Sequence, residues 1–193
     1  KNGSFVDAHH AARWFAQKND LLSARGFFFF GQRESLKTVF LEAVDQIPGP
    51  IDYYFQGISS ALGVHAVYKG AKQYLAMGRI PRMPRLVCVQ EETCNPMARA
   101  WAANAEKMGP EHIIRYPRGL SKSTLRGDSS VAYPYIRAAV KETQGTITTA
   151  TQDEMRAARK QLLELEGLDA CFTSAMTVVA AKNLAASGWL DRE

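Results

Sequence analysis

Short apolar segments alternate with amphipathic ones along this chain, and none is joined to the next by a hairpin turn signal. This order constrains the fold more than any other feature. Parallel strands cannot be linked by a tight turn, so each must return through a crossover, usually a helix. "RLVCVQ", residues 85–90, shows no in-and-out alternation, as suits a strand buried on both faces. "DYYFQG" (52–57) and "GTITTA" (145–150) read as further strands, and so do "GFFFFG" (26–31) and the apolar stretch "LDACFTSAM" (168–176).

The segments between them carry helical spacing. Phe5, Ala8, Ala12 and Phe15 form one stripe over 4–19, and Leu36, Val39, Phe40, Ala43, Val44 and Ile47 form a second. Ser35 is the expected N-cap of that second helix, and Pro48 stops it. A third stripe, Val64, Val67, Tyr68, Ala71 and Leu75, runs to about Met77. "NPMARAWAANAEK" (95–107) opens on Asn95 as cap with Pro96 in the first helical position. A long irregular stretch follows from Gly109 to Val131, then a helix from about Pro134 to Thr143. Thr151 and Glu154 make a capping box, and Gly167 ends the helix it starts. "TVVAAKNLAASG" (177–188) closes the order as a last helix. The expected fold class is therefore α/β, three-layered, with a mostly parallel sheet and a single domain over residues 1–193.

Composition narrows the function. The chain has 193 residues, 46% hydrophobic and 22% charged, which is globular. No run of eighteen apolar residues exists, so no membrane span is expected. No secretory leader is visible and the first residue is Lys1, so a processed or truncated chain is expected. Cys88, Cys94 and Cys171 have no metal-like spacing; they read as reduced, buried thiols of a cytoplasmic protein. The net charge of +5 comes from scattered basic residues with no nucleic-acid motif, so no nucleic-acid partner is expected. The basic residues gather mildly in the irregular stretch. Arg115, Arg118, Lys122 and Arg126 stand there among Ser121, Ser123 and Thr124, where they would recruit an anionic small molecule. His9, His10, His65 and His112 have no partners at catalytic or metal spacing and read as core or solvated side chains.

The turn "QGISSALGVHAVYKG" (56–70) bears on chemistry. Ligands of open parallel sheets collect beyond the carboxyl ends of strands, where helix N-termini point. Ser59, Ser60, Ala61, Leu62 and Gly63 offer small side chains, free N–H groups and two hydroxyls at such a point. These make a phosphate cradle. From local sequence alone an ordinary helix cap is the stronger reading of the same residues.

The order "SLKTVFLEAVDQI", "VYKGAKQYLAMGRIPRMPRLVCVQ", "NPMARAW" and the ending "EGLDACFTSAMTVVAA" resemble the C-terminal half of threonine synthase-like enzymes. These are fold type II (tryptophan synthase β-like) enzymes dependent on pyridoxal 5'-phosphate, a branch that includes cysteate synthase. The resemblance implies a phosphate site at Ser59, Ser60, Ala61, Leu62 and Gly63. Ser59 and Leu62 stand where the family carries glycine, so Leu62 must adopt an unstrained φ. It implies a bond from Thr173, with Ser174 beside it, to the pyridine nitrogen; Cys171 and Phe172 replace the family's Glu and Pro. A neutral hydroxyl there leaves the ring nitrogen largely unprotonated, which suits elimination at the β-carbon. The resemblance also puts Gln90, at the end of its strand, in the family position facing the cofactor region. The family's Schiff-base lysine, in an "SFKD"-like motif, has no match here, so the resemblance implies a missing N-terminal half or complementary chain. A homodimer and an amino-acid substrate are implied too. The expected activity is a lyase or transferase reaction at the β- or γ-carbon of an amino acid, with a phosphorylated substrate. The alternatives are a cysteate or cysteine synthase-like β-replacement, a non-catalytic α/β domain with a decayed site, and a phosphometabolite-binding domain.

Overall fold

A computed structural model describes residues 5–22 and 26–190. Residues 1–4, the side chain of Phe5 in the first expected stripe, and 23–25 lie outside the described set, as do 191–193. Three strands form one parallel sheet in the order β1 (Tyr53–Gly57), β2 (Arg85–Glu91), β3 (Thr146–Ala150). Tyr53 pairs with Arg85 and Gly57 with Val89; Val87 pairs with Thr146 and Glu91 with Ala150. The helices are α1 (Phe5–Lys18), α2 (Phe30–Ser35), α3 (Thr38–Gln46), α4 (Leu62–Ala76), α5 (Pro96–Ala102), α6 (Tyr133–Glu142), α7 (Gln152–Glu166) and α8 (Phe172–Ala186).

The central strand organises the layers. Leu86 and Cys88 of β2 point into a core with Val64 and Val67 of α4, Met97 of α5, and Ile136 and Val140 of α6. Val87 and Val89 point the other way, into a core with Met155 of α7 and Met176 and Val179 of α8. Each fully buried aliphatic side chain contributes roughly 1.5–3 kcal/mol. Two helical layers on a three-stranded sheet are therefore what β2 requires. Val64, Val67 and Ala71 of the expected α4 stripe are buried, whereas Leu75 is 38% exposed. The capping box of α7 forms as expected, with Glu154 N donating to Thr151 Oγ1 and Thr151 N to Glu154 Oε2. Gly167 ends α7 at φ 68.

Five expectations are corrected. "GFFFFG" is no strand: Gly26, at φ 54, opens a 3-10 turn, and α2 begins at Phe30. Phe27 is drawn down onto His65 and Tyr135, with ring centroids 5.1 and 5.6 Å away, so aromatic packing outcompetes edge pairing. Ser35 ends α2 rather than capping α3; its Oγ donates to Gln32 O at 3.2 Å. The apolar stripe of α1 is not a core face, because Trp14 and Phe15 are 61% and 55% exposed and only Ala16 of its described side chains is buried. Helix α5 stops at Ala102, and Asn104 turns out of it at φ 50. "LDACFTSAM" is not a strand either. Cys171 is the N-cap of α8, and Ala175, Met176, Val179 and Ala180 share its buried face at helical spacing. A short apolar run cannot by itself tell a strand from a buried helix.

Helices α2 and α4 are joined by one carboxyl. Glu34 accepts from Lys37 and from Lys69, and these two bonds lower its pKa from 4.5 to about 2. A carboxyl lowered by folding adds stability above its unfolded value and loses it as pH falls through the folded one. Glu34→Gln is therefore expected to lower the urea midpoint at pH 7. That deficit should shrink as pH drops from 4.5 towards about 2; urea titrations at pH 7, 4 and 3 check it.

Candidate functional site

Strands β1 and β2 end side by side, with Ile58 N donating to Val89 O at 2.8 Å. The chain then turns through Ser59, Ser60 and Ala61 into α4. Leu62 is the first helical residue and needs no unusual φ; the left-handed position is Ala61, at φ 55 and ψ 29. An alanine there costs about 1–2 kcal/mol relative to the right-handed well. Among the described residues no side chain caps α4, and its first backbone bond in this turn is His65 N to Ala61 O at 3.0 Å. The N–H groups of Leu62, Gly63 and Val64 precede that bond, at the positive end of the helix. Ser129 Oγ donates to Ser59 O at 3.0 Å, tying this turn to the 109–131 segment.

Gly57 brings a second element to the same place. A Cβ built there would lie 2.6 Å from Thr173 O and 2.8 Å from Thr173 Cγ2. The first turn of α8 is thus pressed onto the end of β1, and only glycine permits it. Thr173 Oγ1 bonds Ser121 Oγ and, at 3.0 Å, Ser123 Oγ. Thr124 Oγ1 in turn donates to Ser121 Oγ at 2.9 Å. Ser174 is exposed beside them, its Oγ 3.5 Å from Cys171 Sγ. Cys171 is exposed rather than buried, and the Ser174 hydroxyl and N–H lower its thiol pKa. Cys88 is fully buried, and burial pushes its thiol up to about 12.

Glu91 holds this hydroxyl cluster from beneath. It is 1% exposed at the end of β2. Its Oε1 accepts from Leu120 N at 2.8 Å, Thr93 Oγ1 at 3.1 Å and Gln152 Nε2 at 2.7 Å, and its Oε2 accepts from Ser121 N at 2.9 Å. Gly119 makes room, since a Cβ there would fall 2.4 Å from the carboxylate. Sequence reasoning passed over Glu91, although a carboxyl closing an apolar strand was a visible signal. Gln90 anchors a helix: its Oε1 accepts from Met97 N and Ala98 N and so caps α5.

A cleft of about 400 Å³ opens beside Ser60, walled by His9, His10 and Arg13 of α1, by Phe27 and Phe28, and by Arg126 and Ser129. His9 and His10 are adjacent yet both reach it. His65 and His112 lie in the interior instead, His65 against Phe27 and His112 accepting from Gly109 N. Of the four basic loop residues, Arg126 alone lines the cleft; its Nε donates to Asp128 O, and desolvation lowers its pKa against the pull of Asp128. Arg115, Arg118 and Lys122 are exposed on the loop outside it. Among the described residues, no group of three or more His, Cys, Asp or Glu could hold a metal ion. No described helix is long and apolar enough to cross a membrane.

Known proteins give this geometry a family. The family model for pyridoxal-phosphate dependent enzymes matches residues 2–193. Threonine synthase of Methanosarcina acetivorans is 27% identical over 161 residues, covering 83% of this chain and 39% of that protein. Cysteate synthase of Methanocella arvoryzae is 28% identical over 195 residues, covering 97% of this chain and 46% of that protein. The chain spans about half the length of the curated relatives it matches. Among solved structures, maize serine racemase superposes with TM-score 0.74 at 15% identity, over 97% of this chain and 54% of that one. The processed form of threonine deaminase isoform 2 from Solanum lycopersicum gives 0.73 at 12% identity, over 100% and 52%. The chain belongs to the pyridoxal-phosphate dependent enzymes, and its fold is fold type II.

The contact at Gly57 is directly testable. Gly57→Ala is expected to destabilise the chain by about 1–3 kcal/mol through forced separation of α8 from β1. Urea denaturation measures the loss.

Proposed function

We propose, from that family membership, that this chain is the cofactor-binding part of an enzyme that eliminates or replaces a group at the β- or γ-carbon of an amino acid. A phosphorylated amino acid is the proposed substrate class. One observation carries this: across Gly57, an uncapped helix N-terminus and a neutral hydroxyl cluster meet at the carboxyl end of one strand. The donor set fits pyridoxal phosphate. Uncapped amides at a positive helix end suit a phosphate, and a neutral hydroxyl suits a ring nitrogen. Glycine at position 57 permits close approach between the two.

In this reading Ser59, Ser60, Ala61, Leu62 and Gly63 hold the phosphate. Thr173 meets the pyridine nitrogen, with Ser174 next to it. Bound there, the cofactor supplies an aldehyde for the substrate amine and a ring that draws electrons from the α-carbon. Thr173 has no charge to give the ring nitrogen a proton permanently, so it tunes the ring for departures at the β- or γ-carbon. Arg126, on the cleft wall, orients an anionic substrate. Arg115, Arg118 and Lys122 raise its local concentration from the rim. The relatives are named threonine synthase and cysteate synthase, and both lyase- and transferase-type outcomes belong to this proposal.

No lysine lines the cleft among the described residues, and no "SFK" motif occurs in the sequence. In this proposal the covalent anchor for the cofactor is carried by a segment outside these 193 residues. The chain alone is then catalytically silent. Borohydride reduction with pyridoxal phosphate and peptide mapping should find no stoichiometric adduct at a single lysine of this chain; such an adduct would overturn the proposal.

The phosphate assignment has its own test. In the complete enzyme, Ser60→Asp removes a donor and adds a negative charge beside the phosphate. Loss of one charge-assisted bond costs about 1.5–3 kcal/mol, and repulsion adds to it, so cofactor affinity should fall at least about tenfold. Fluorescence titration with pyridoxal phosphate measures this, and an unchanged dissociation constant rejects the assignment.

A further inference from the structure

We propose that Glu91 is a positioning residue for the cofactor ring: through the backbone of Leu120 and Ser121 it aims the Ser121 hydroxyl at Thr173, and so decides where the Thr173 proton points. The inference rests on the reading that Thr173 meets the ring nitrogen.

The geometry carries it in three steps. Glu91 is buried at the end of the central strand, and its two oxygens accept four hydrogen bonds. Thr93 and Gln152 merely keep the carboxylate satisfied. The other two donors are the backbone N–H groups of Leu120 and Ser121, which fix the peptide from which the Ser121 side chain departs. Gly119 admits the carboxylate at a distance that no Cβ would allow. This loop segment therefore has one position relative to β2, set by a group reached from the strand rather than from the loop itself.

The second step is the direction of the hydroxyl chain. Thr124 Oγ1 lies 2.9 Å from Ser121 Oγ and 3.1 Å from Ser121 O, and its one proton is shared between these two acceptors of the same residue. Either hydroxyl of the Ser121–Thr173 pair could donate; in the arrangement where Thr124 gives its proton to Ser121 Oγ, Ser121 directs its own proton onward to Thr173 Oγ1. Thr173 then accepts and has its proton free to donate. Ser123 Oγ, 3.0 Å away on the exposed rim, and the Cys171 thiol are the neighbouring acceptors for that proton until a better one is offered. The third step is the acceptor. A pyridine nitrogen is a pure acceptor when unprotonated, so a Thr173 poised as donor matches it. Thr173 with reversed polarity would present lone pairs to a lone pair.

The chemistry predicts a local electronic effect at one end of the cofactor. The test uses the complete holoenzyme loaded with pyridoxal phosphate labelled with 15N in the ring, read by NMR. Thr173→Ala should move the ring-nitrogen resonance most. Ser121→Ala should move it in the same direction and raise the cofactor dissociation constant about two- to tenfold, the equivalent of one neutral hydrogen bond. Glu91→Gln should reproduce the Ser121→Ala shift. In all three variants the 31P resonance of the cofactor phosphate should stay at its wild-type position, which a general loosening of the fold would not allow. Where Glu91→Gln does not fold, Gln152→Ala takes its place, since it removes one bond to the carboxylate and should give a smaller shift of the same sign. A ring resonance that moves in Ser121→Ala but stays at the wild-type position in the Glu91 or Gln152 variant overturns the role of Glu91. A resonance unmoved even by Thr173→Ala overturns the Thr173 reading itself, and the two failures are thus distinguished.

Discussion

A strand buried on both faces must be covered from both sides, and β2 imposes that demand on the whole chain. Leu86 and Cys88 call for one helical layer, and Val87 and Val89 for the other. Both sheet neighbours must then be parallel, since the connecting segments are consumed in covering the faces. Parallel strands end together, so the turns that follow β1 and β2 are brought to one edge of the sheet. Helix α4 and the segment around Ser121 are delivered there as a consequence of burial.

Burial also explains the polar groups at that edge. The strand continues its inward pattern to Gln90 and Glu91, both fully enclosed. Buried polar groups persist only when hydrogen-bonded. Gln90 answers by capping α5, and Glu91 by gripping the backbone at Leu120 and Ser121. One end of the sheet is thus built as a pair of anchors, one for a helix and one for a loop. The 109–131 segment lacks regular structure over most of its length, yet it is held at its middle by Glu91 and near its end by Ser129 on Ser59. A loop so fixed can offer hydroxyls at defined positions without a helix or strand to carry them.

Residues differ in how openly they announced their roles. The α4 stripe, the capping box of α7 and the uninterrupted β2 run were legible because each depends on neighbours within a few positions in the chain. "GFFFFG" and "LDACFTSAM" were not, because a short apolar run fits a strand and a helix equally, and only the available partners decide. Phe27 found rings on α4 and α6; Met176 found the face of β2 and its α7 cover. At the site, Ser59 to Gly63 could be picked out as a helix mouth, and Thr173 through resemblance. The strain at Ala61 instead of Leu62, the contact of Gly57 with Thr173, and the reach of Glu91 to Ser121 join residues from 30 to 116 positions apart or turn on a single backbone angle.

The amino-acid sequence by itself determined the α/β order, the parallel pairing, the family and the helix mouth after β1, because periodicity, capping and crossover length are local properties of a chain. Tertiary structure alone decided which polar groups meet at that mouth. Close packing admits α8 against Gly57 only where no Cβ intervenes, and a buried carboxylate must find its donors wherever the fold brings them; neither condition can be evaluated until the distant segments are in contact.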